Sequence, residues 1–227
     1  MISKLNKFLD RITFDEHRNL RLKIINILND NQTYDYGNDY LYQSFDNIPL
    51  RGLRNTTYRI KNLKLNQFIN NKKVLDIGCN TGFLSMSIKP IYKKLVGIDH
   101  HQISIKIANL VKDYLGLNKV HFLHDNFNNF LFEDKFDVIF TLANHSTEDK
   151  GITDTVSHFK KINQLLNPKG ILFIESHHFH IEKPNEFEKK ISNFINTFDY
   201  EILNKDKYNC SNFYDNKRIF YVLKKNV

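Results

Sequence analysis

Apolar residues recur at helical spacing through the first thirty positions: Leu5, Phe8, Leu9 and Ile12, then Leu20, Ile24, Ile27 and Leu28. That period predicts two amphipathic helices. Residues 31–53 break it with tyrosines set among Asn, Asp, Gly and Pro. A stretch this aromatic reads as an ordered loop that packs on something. Helical spacing returns over 55–70. From residue 73 the rhythm changes to short β-branched and apolar runs at 73–77, 94–99, 119–123, 136–142 and 170–176. Helical patterns at 82–92, 103–116 and 148–166 separate most of them.

Strand alternating with helix predicts βαβ units and a parallel sheet with right-handed crossovers. Asn167-Pro168-Lys169-Gly170 reads as the stop of one helix and the turn into the next strand. The tail departs from the alternation. After a helix at 184–197, residues 200–208 and 217–225 have no helix between them and read as an antiparallel pair. The expectation is a mostly parallel seven-stranded α/β sheet with an antiparallel end and a helical N-terminal extension.

Composition narrows the class. The chain has 227 residues, of which 41% are hydrophobic, and the 19 Phe and 11 Tyr supply ample core material, which excludes disorder. No apolar run reaches a membrane span, and charges interrupt the first seventeen residues where a signal peptide would be apolar. With Cys79 and Cys210 too few for a disulfide framework, the expectation is a cytoplasmic protein with no membrane partner. The net charge of +8 raises the question of nucleic acid, but the lysines fall as scattered pairs without a dense tract. Nucleic acid is therefore disfavoured as a partner. Arginine is sparing, and Arg51, Arg54 and Arg59 fall within one nine-residue stretch. A guanidinium fork suits a carboxylate or phosphate, although such a cluster also fits a solvated helix start.

Ligands of open parallel sheets bind outside the carboxyl ends of the strands. The first strand–turn–helix junction reads Val74-Leu75-Asp76-Ile77-Gly78-Cys79-Asn80-Thr81-Gly82-Phe83. A dinucleotide fingerprint needs glycine at its second position so that backbone can touch pyrophosphate; here that position is Asn80, and the third is Phe83. Asp76 adds a carboxylate that repels a diphosphate and attracts a cation. The loop suits a positively charged nucleoside-like ligand.

This stretch resembles motif I of the class I S-adenosylmethionine-dependent methyltransferases, and the element order is similar to their Rossmann-like fold. The resemblance implies S-adenosylmethionine as cofactor over residues 54–225. It places the donor on Asp76, Gly78, Cys79, Asn80 and Gly82. Asp99, with His100 beside it, would meet the ribose hydroxyls, and Asp125 and Asn126 the adenine. Tyr42-Gln43, Gly52-x-Arg54-x-Thr56 and Arg59, together with LANHST at 142–147 and IESHH at 174–178, resemble a subset of bacterial methyltransferases encoded among polysaccharide genes. That likeness implies Arg54 or Arg59 near the methionine carboxylate or an acidic acceptor. It also implies substrate contacts from Tyr42, Gln43, Asn144 and His178. The chain divides on this reading into a helical and loop extension, 1–53, acting as a lid, and a methyltransferase domain, 54–227.

The fourth strand ends in Thr141-Leu142-Ala143-Asn144-His145-Ser146, without the Asn-Pro-Pro-Tyr signature of enzymes acting on base or amide nitrogen. A neutral hydroxyl must lose its proton as it attacks the methyl, which suits His145, an imidazole titrating near neutrality. Its alternative role is to cap the helix that follows. Glu175 and His177 share a face if the fifth strand continues, and hydrogen bonds to substrate or His145 are the expected role. A divalent ion on them is the alternative, disfavoured because His177 and His178 would then point to opposite faces. No metal ligand is assigned. The expected activity is O-methylation of a polar, carbohydrate-like small molecule, a sugar or nucleotide sugar of surface polysaccharide. The rivals are a tRNA methyltransferase and a non-catalytic donor-binding subunit.

Overall fold

The computed structural model describes residues 16–30, 41–88, 91–144, 155–177, 183–209 and 217–227. The two periods seen in the sequence account for its layers. Along strand β3 (Lys73–Ile77), Val74 turns to one face of the sheet while Leu75 and Ile77 turn to the other. The same alternation runs through β4 (Lys94–Asp99), β6 (Phe136–Leu142) and β7 (Leu166–Glu175), where Leu95, Val138 and Phe173 oppose Val96, Ile139 and Leu172. Strands buried on both faces need helices on both faces.

One face is covered by α1 (Arg18–Asn29), α2 (Thr56–Leu63), α3 (Phe83–Ser87) and α4 (Gln102–Tyr114). The other is covered by α5 (Thr155–Leu165) and α6 (Pro184–Phe198), whose Phe159, Ile162, Phe187, Ile191 and Phe194 are buried. With β5 (Val120–His124), β8 (Tyr200–Asn209) and β9 (Lys217–Lys225), the seven strands lie in the order β5-β4-β3-β6-β7-β9-β8. Strands β3 to β7 pair in parallel, and β9 is antiparallel to both β7 and β8. Strand order reverses beside β3, which puts the ligand crevice between the ends of β3, β4 and β6.

Three local features differ from the expected boundaries. The helix expected over 82–92 is the five-residue α3, which ends at Ser87 where Ile88 turns extended. The helix predicted over 55–70 is α2 followed by a short 3-10 turn at Leu65–Gln67, because the chain turns at Lys64, which adopts φ 53°. The expected turn at 167–170 is absorbed into β7 as a bulge: Phe136 faces Leu166, the register resumes at Val138 and Ile171, and Lys169 takes φ 60°.

Of the aromatic segment 31–53, residues 31–40 lie outside the described residues, and the described part, 41–53, packs on the core. Two short parallel strands, β1 (Leu41–Gln43) and β2 (Gly52–Arg54), with Leu41, Phe45, Ile48 and Leu50, enter the same core as Val74 and Phe83. Phe45 stacks on Phe83 of α3 with ring centroids 5.0 Å apart. Thr56 fixes the junction with α2, its N–H donating to Ser44 Oγ at 3.0 Å and its hydroxyl to Ser44 O at 2.6 Å. Asn55 caps α2 by accepting from Tyr58 N at 2.8 Å. Among the described residues no helix is long and apolar enough to cross a membrane.

Candidate active site

The loop after β3 is shaped by two glycines. Gly78 adopts φ 68°, and a Cβ there would stand 2.6 Å from Asn144 Nδ2. Gly82 adopts φ 69°, and a Cβ there would run into the Phe122 ring. Both need a missing side chain as well as a left-handed backbone. Asn80 is also left-handed, at φ 53°. Its N–H donates to Asp99 Oδ2 at 2.8 Å, while Asp99 Oδ1 accepts from His101 N at 2.8 Å. Asp99 thereby ties the end of β4 to the loop after β3. A carboxylate offers about four acceptor positions, so two remain for a ligand. His100 lies beside it, Nδ1 standing 3.7 Å from Asp99 Oδ1.

Asp76 is buried below this loop and accepts from Ser85 Oγ at 2.5 Å. Burial raises its carboxyl to about 6, against the lowering effects of Ser85 and Arg59. Cys79 is buried too, and burial, with Asp99 and Asp76 close by, pushes its thiol well above the ordinary range. After β5, Asp125 is exposed and accepts from Asn126 N at 2.7 Å, and Asn126 Oδ1 accepts from Asn128 N at 2.9 Å. Asp99, His100, Asp125, Asn126, Gly78 and Asn144 line one cleft. Asn144, expected at the substrate, is engaged at both ends of its amide within the chain: it accepts from the Thr141 hydroxyl and donates to Ile77 O.

The second cluster centres on Glu175, which has no exposed surface. Arg59 forks onto it, Nε reaching Oε1 at 3.3 Å and Nη2 bonding Oε2. Arg218 Nη1 reaches Oε2 at 2.7 Å, and the Tyr208 hydroxyl donates to Oε1. Burial alone would raise the Glu175 carboxyl; the Arg59 and Arg218 guanidiniums outweigh it and hold it at about 2. Arg218 Nη2 also donates to Tyr42 OH at 3.1 Å, and the Arg54 guanidinium lies 5.8 Å from the centre of the Tyr42 ring. Gln43 accepts from Leu84 N at 3.2 Å, supplying a partner that Gly82, the N-cap of α3, cannot.

The acid that Arg59 meets is thus the chain's own Glu175. Strand β7 ends at Glu175, so the condition that would have put His177 on the same face of a continuing strand is not met. Ser176 and His177 follow as coil, with Ser176 Oγ donating to His177 O at 2.8 Å. Among the described residues no group of three or more His, Cys, Asp or Glu could hold a metal ion. His145 and His178 lie outside the described residues.

Sequence reasoning passed over four residues of these clusters. Arg218 had a signal: of seven arginines it alone follows position 59. Tyr208 and Ser85 had none, being one Tyr and one Ser among many. Lys161 sits in one of the scattered lysine pairs, and its Nζ donates to Phe127 O at 2.6 Å, Asn128 O at 3.0 Å and Phe130 O at 2.6 Å, holding the loop beside Asn126.

A family model described as a methyltransferase domain matches residues 69–225, well over half of the chain. The chain belongs to this methyltransferase family and is an S-adenosylmethionine-dependent enzyme of class I. It has no significant match among curated proteins. Similar solved structures include the N-methyltransferase NodS from Bradyrhizobium japonicum WM9 in complex with S-adenosyl-L-homocysteine, at 16% identity and TM-score 0.59, over 74% of this chain and 84% of that one. An S-adenosylmethionine-dependent methyltransferase from Clostridium acetobutylicum matches at 16% identity and TM-score 0.58, over 91% and 99%. The 4+2 cyclase SpnF matches at 13% identity and TM-score 0.64, over 90% and 93%. These likenesses establish the shared fold; the cyclase among them illustrates how one fold hosts different chemistries.

Proposed function

We propose that the chain transfers a methyl group from S-adenosylmethionine to a hydroxyl oxygen of a polar small molecule, a sugar or nucleotide sugar of surface polysaccharide. One observation carries the donor half of this reading. At the switch point, Asn80 Oδ1 and Thr81 Oγ1 are buried with no hydrogen-bond partner among the described residues, directly beside the Asp99 carboxylate with acceptor positions to spare. Buried polar atoms are nearly always paired, so such a pair of orphans fits a loop that holds a ligand. The residues fit the donor: Asp99 for its ribose hydroxyls, Asp125 and Asn126 for its adenine, and Gly78, Asn80 and Gly82 for close backbone approach. When bound, it supplies an electrophilic methyl on a sulfonium.

The chain's own residues do the rest. Asp76, buried under the loop, and Asp99 give this end of the sheet a negative bias that favours a cationic nucleoside. Ordering by the loops after β3, β4 and β5 converts an encounter into an aligned reaction and excludes water. His145 follows directly on Asn144, whose amide is locked to Thr141 and Ile77. We assign it the acceptor's proton, taken by neutral imidazole as oxygen attacks. The oxygen and sugar part of the reading is supported by the sequence Asn144-His145-Ser146 that follows β6 and the resemblance of residues 42–59 to polysaccharide-associated enzymes.

The test is a labelled-methyl screen of nucleotide sugars, free glycans and transfer RNA, run beside calorimetry with S-adenosyl-L-homocysteine. Donor-product binding with label entering a sugar hydroxyl is expected. Label in RNA alone would sink the acceptor assignment, and absent binding would sink the donor site.

A further inference from the structure

Strand β1 is three residues long and belongs to a two-stranded sheet of its own, yet it spans the gap between two parts of the molecule that are far apart in sequence. Successive residues of a strand point to opposite sides, and here each side carries one tie. Gln43 reaches the first turn of α3, accepting from Leu84 N at 3.2 Å, next to the donor loop. Tyr42 receives a hydrogen bond at 3.1 Å from Arg218 Nη2 of β9. The other terminal nitrogen of the same guanidinium is 2.7 Å from Glu175 Oε2. Arg218 is 2% exposed and Glu175 is fully enclosed, so the bond between them lies out of competition with water, while the bond to Tyr42 is part-buried.

We propose that Arg218 and Tyr42 are positioning residues for the donor site: they hold β1 in place so that Gln43 keeps the first turn of α3, and with it the loop 78–82, in its binding geometry. The inference rests on the donor reading above. It takes Tyr42 and Gln43 as acting through the chain and not on the acceptor. The planar fork of arginine explains the residue type, since one guanidinium serves a carboxylate and a phenol at once where a lysine ammonium is a point charge. Tyr208 offers an internal contrast. It bonds the same carboxylate, through Oε1, but belongs to β8. Loosening Glu175 is therefore separable from loosening β1.

The experiment is hydrogen exchange on the full chain without donor, paired with calorimetry of S-adenosyl-L-homocysteine. Tyr42→Phe keeps the ring beside Arg54 and removes one hydroxyl; Arg218→Lys keeps the charge and removes the fork. Each should speed exchange in peptides covering 41–54 and 83–88 by about tenfold and weaken binding of the donor product by a similar factor, the scale of one charge-assisted hydrogen bond. The double variant should do no more than Arg218→Lys alone, because the tie that Tyr42→Phe cuts is one of the two that Arg218→Lys cuts. Tyr208→Phe should lower thermal stability while leaving exchange at 83–88 and binding unchanged. Unchanged exchange at 83–88 in Tyr42→Phe, or additive losses in the double variant, overturns the proposal. If Arg218→Lys does not fold, Tyr42→Phe with its exchange readout decides alone. A wild type that fails to bind the donor product refutes the donor reading, and the exchange measurement still decides the tie.

Discussion

Arg59 and Glu175 stand 116 positions apart in sequence and meet as a fork on a carboxylate, Arg59 5% exposed and Glu175 fully buried. The pair joins the helix before the first strand of the large sheet to the end of its fifth. Buried ion pairs add little when compared with apolar packing, yet breaking one strands the survivor. Glu175→Gln leaves both Arg59 and Arg218 against a neutral amide and should destabilise the fold by about 3–5 kcal/mol in urea titration. A loss below about 1 kcal/mol would mean that the guanidiniums find water instead.

Acid should act on the same carboxylate. Glu175 sits at about 2 in the folded chain against an ordinary 4.5, so the unfolded chain binds that proton more readily. Its contribution to stability is complete above pH 4.5 and drains as pH falls from there toward 2. Asp76 has the opposite sign: raised from 3.8 to about 6, it costs stability as pH rises through that window, and the cost is complete above it. Thermal midpoints of Asp76→Asn against pH should lose the second dependence and keep the first. A variant whose profile matches the wild type between pH 4 and 6 would show that Asp76 is not the titrating group.

The fold was legible because its signals are local. Val74, Leu75 and Ile77 alternate, helical runs separate the strands, and the sequence shows no helical period between the runs 200–208 and 217–225, so the sheet and its antiparallel end follow from periods alone. The shape of the loop after β3 was legible because Gly78 and Asn80 take left-handed turn positions and Asp99 ends the next strand about 20 residues on. The Glu175 cluster was not. Its members come from positions 42, 59, 175, 208 and 218 and are brought together by topology, so no spacing in sequence announces it. The hydrogen bonds of Asn144 were hidden for a related reason: the space that Gly78 leaves open, which lets its amide bond Ile77 O, is set by the meeting of two strands distant in sequence.

Asp99 gives the most direct test of the donor site. Asp99→Ala removes the acceptor for Asn80 N and His101 N as well as the proposed ribose contact, and should weaken S-adenosyl-L-homocysteine binding by about 1–3 kcal/mol. Asp99→Asn keeps one oxygen and should fall between wild type and alanine. Equal affinities for all three in calorimetry would remove the ribose assignment.

His145 gives the test of chemistry. If it takes the acceptor's proton, His145→Ala should leave donor-product affinity nearly intact and slow methyl transfer by about 10²–10⁴-fold. The wild-type rate should rise with pH through the imidazole range, because neutral imidazole alone accepts a proton. Chelator should have no effect through Glu175, since Arg59 and Arg218 already occupy one or both of its oxygens and Tyr208 bonds Oε1. A metal there would have to displace two guanidiniums from a fully buried carboxylate. Loss of activity on chelation, with recovery on adding a divalent ion, would therefore locate a metal elsewhere and move proton removal to the water or hydroxyl it binds. Full activity in His145→Ala without added metal would leave the acceptor's proton to a group other than the one this strand end offers.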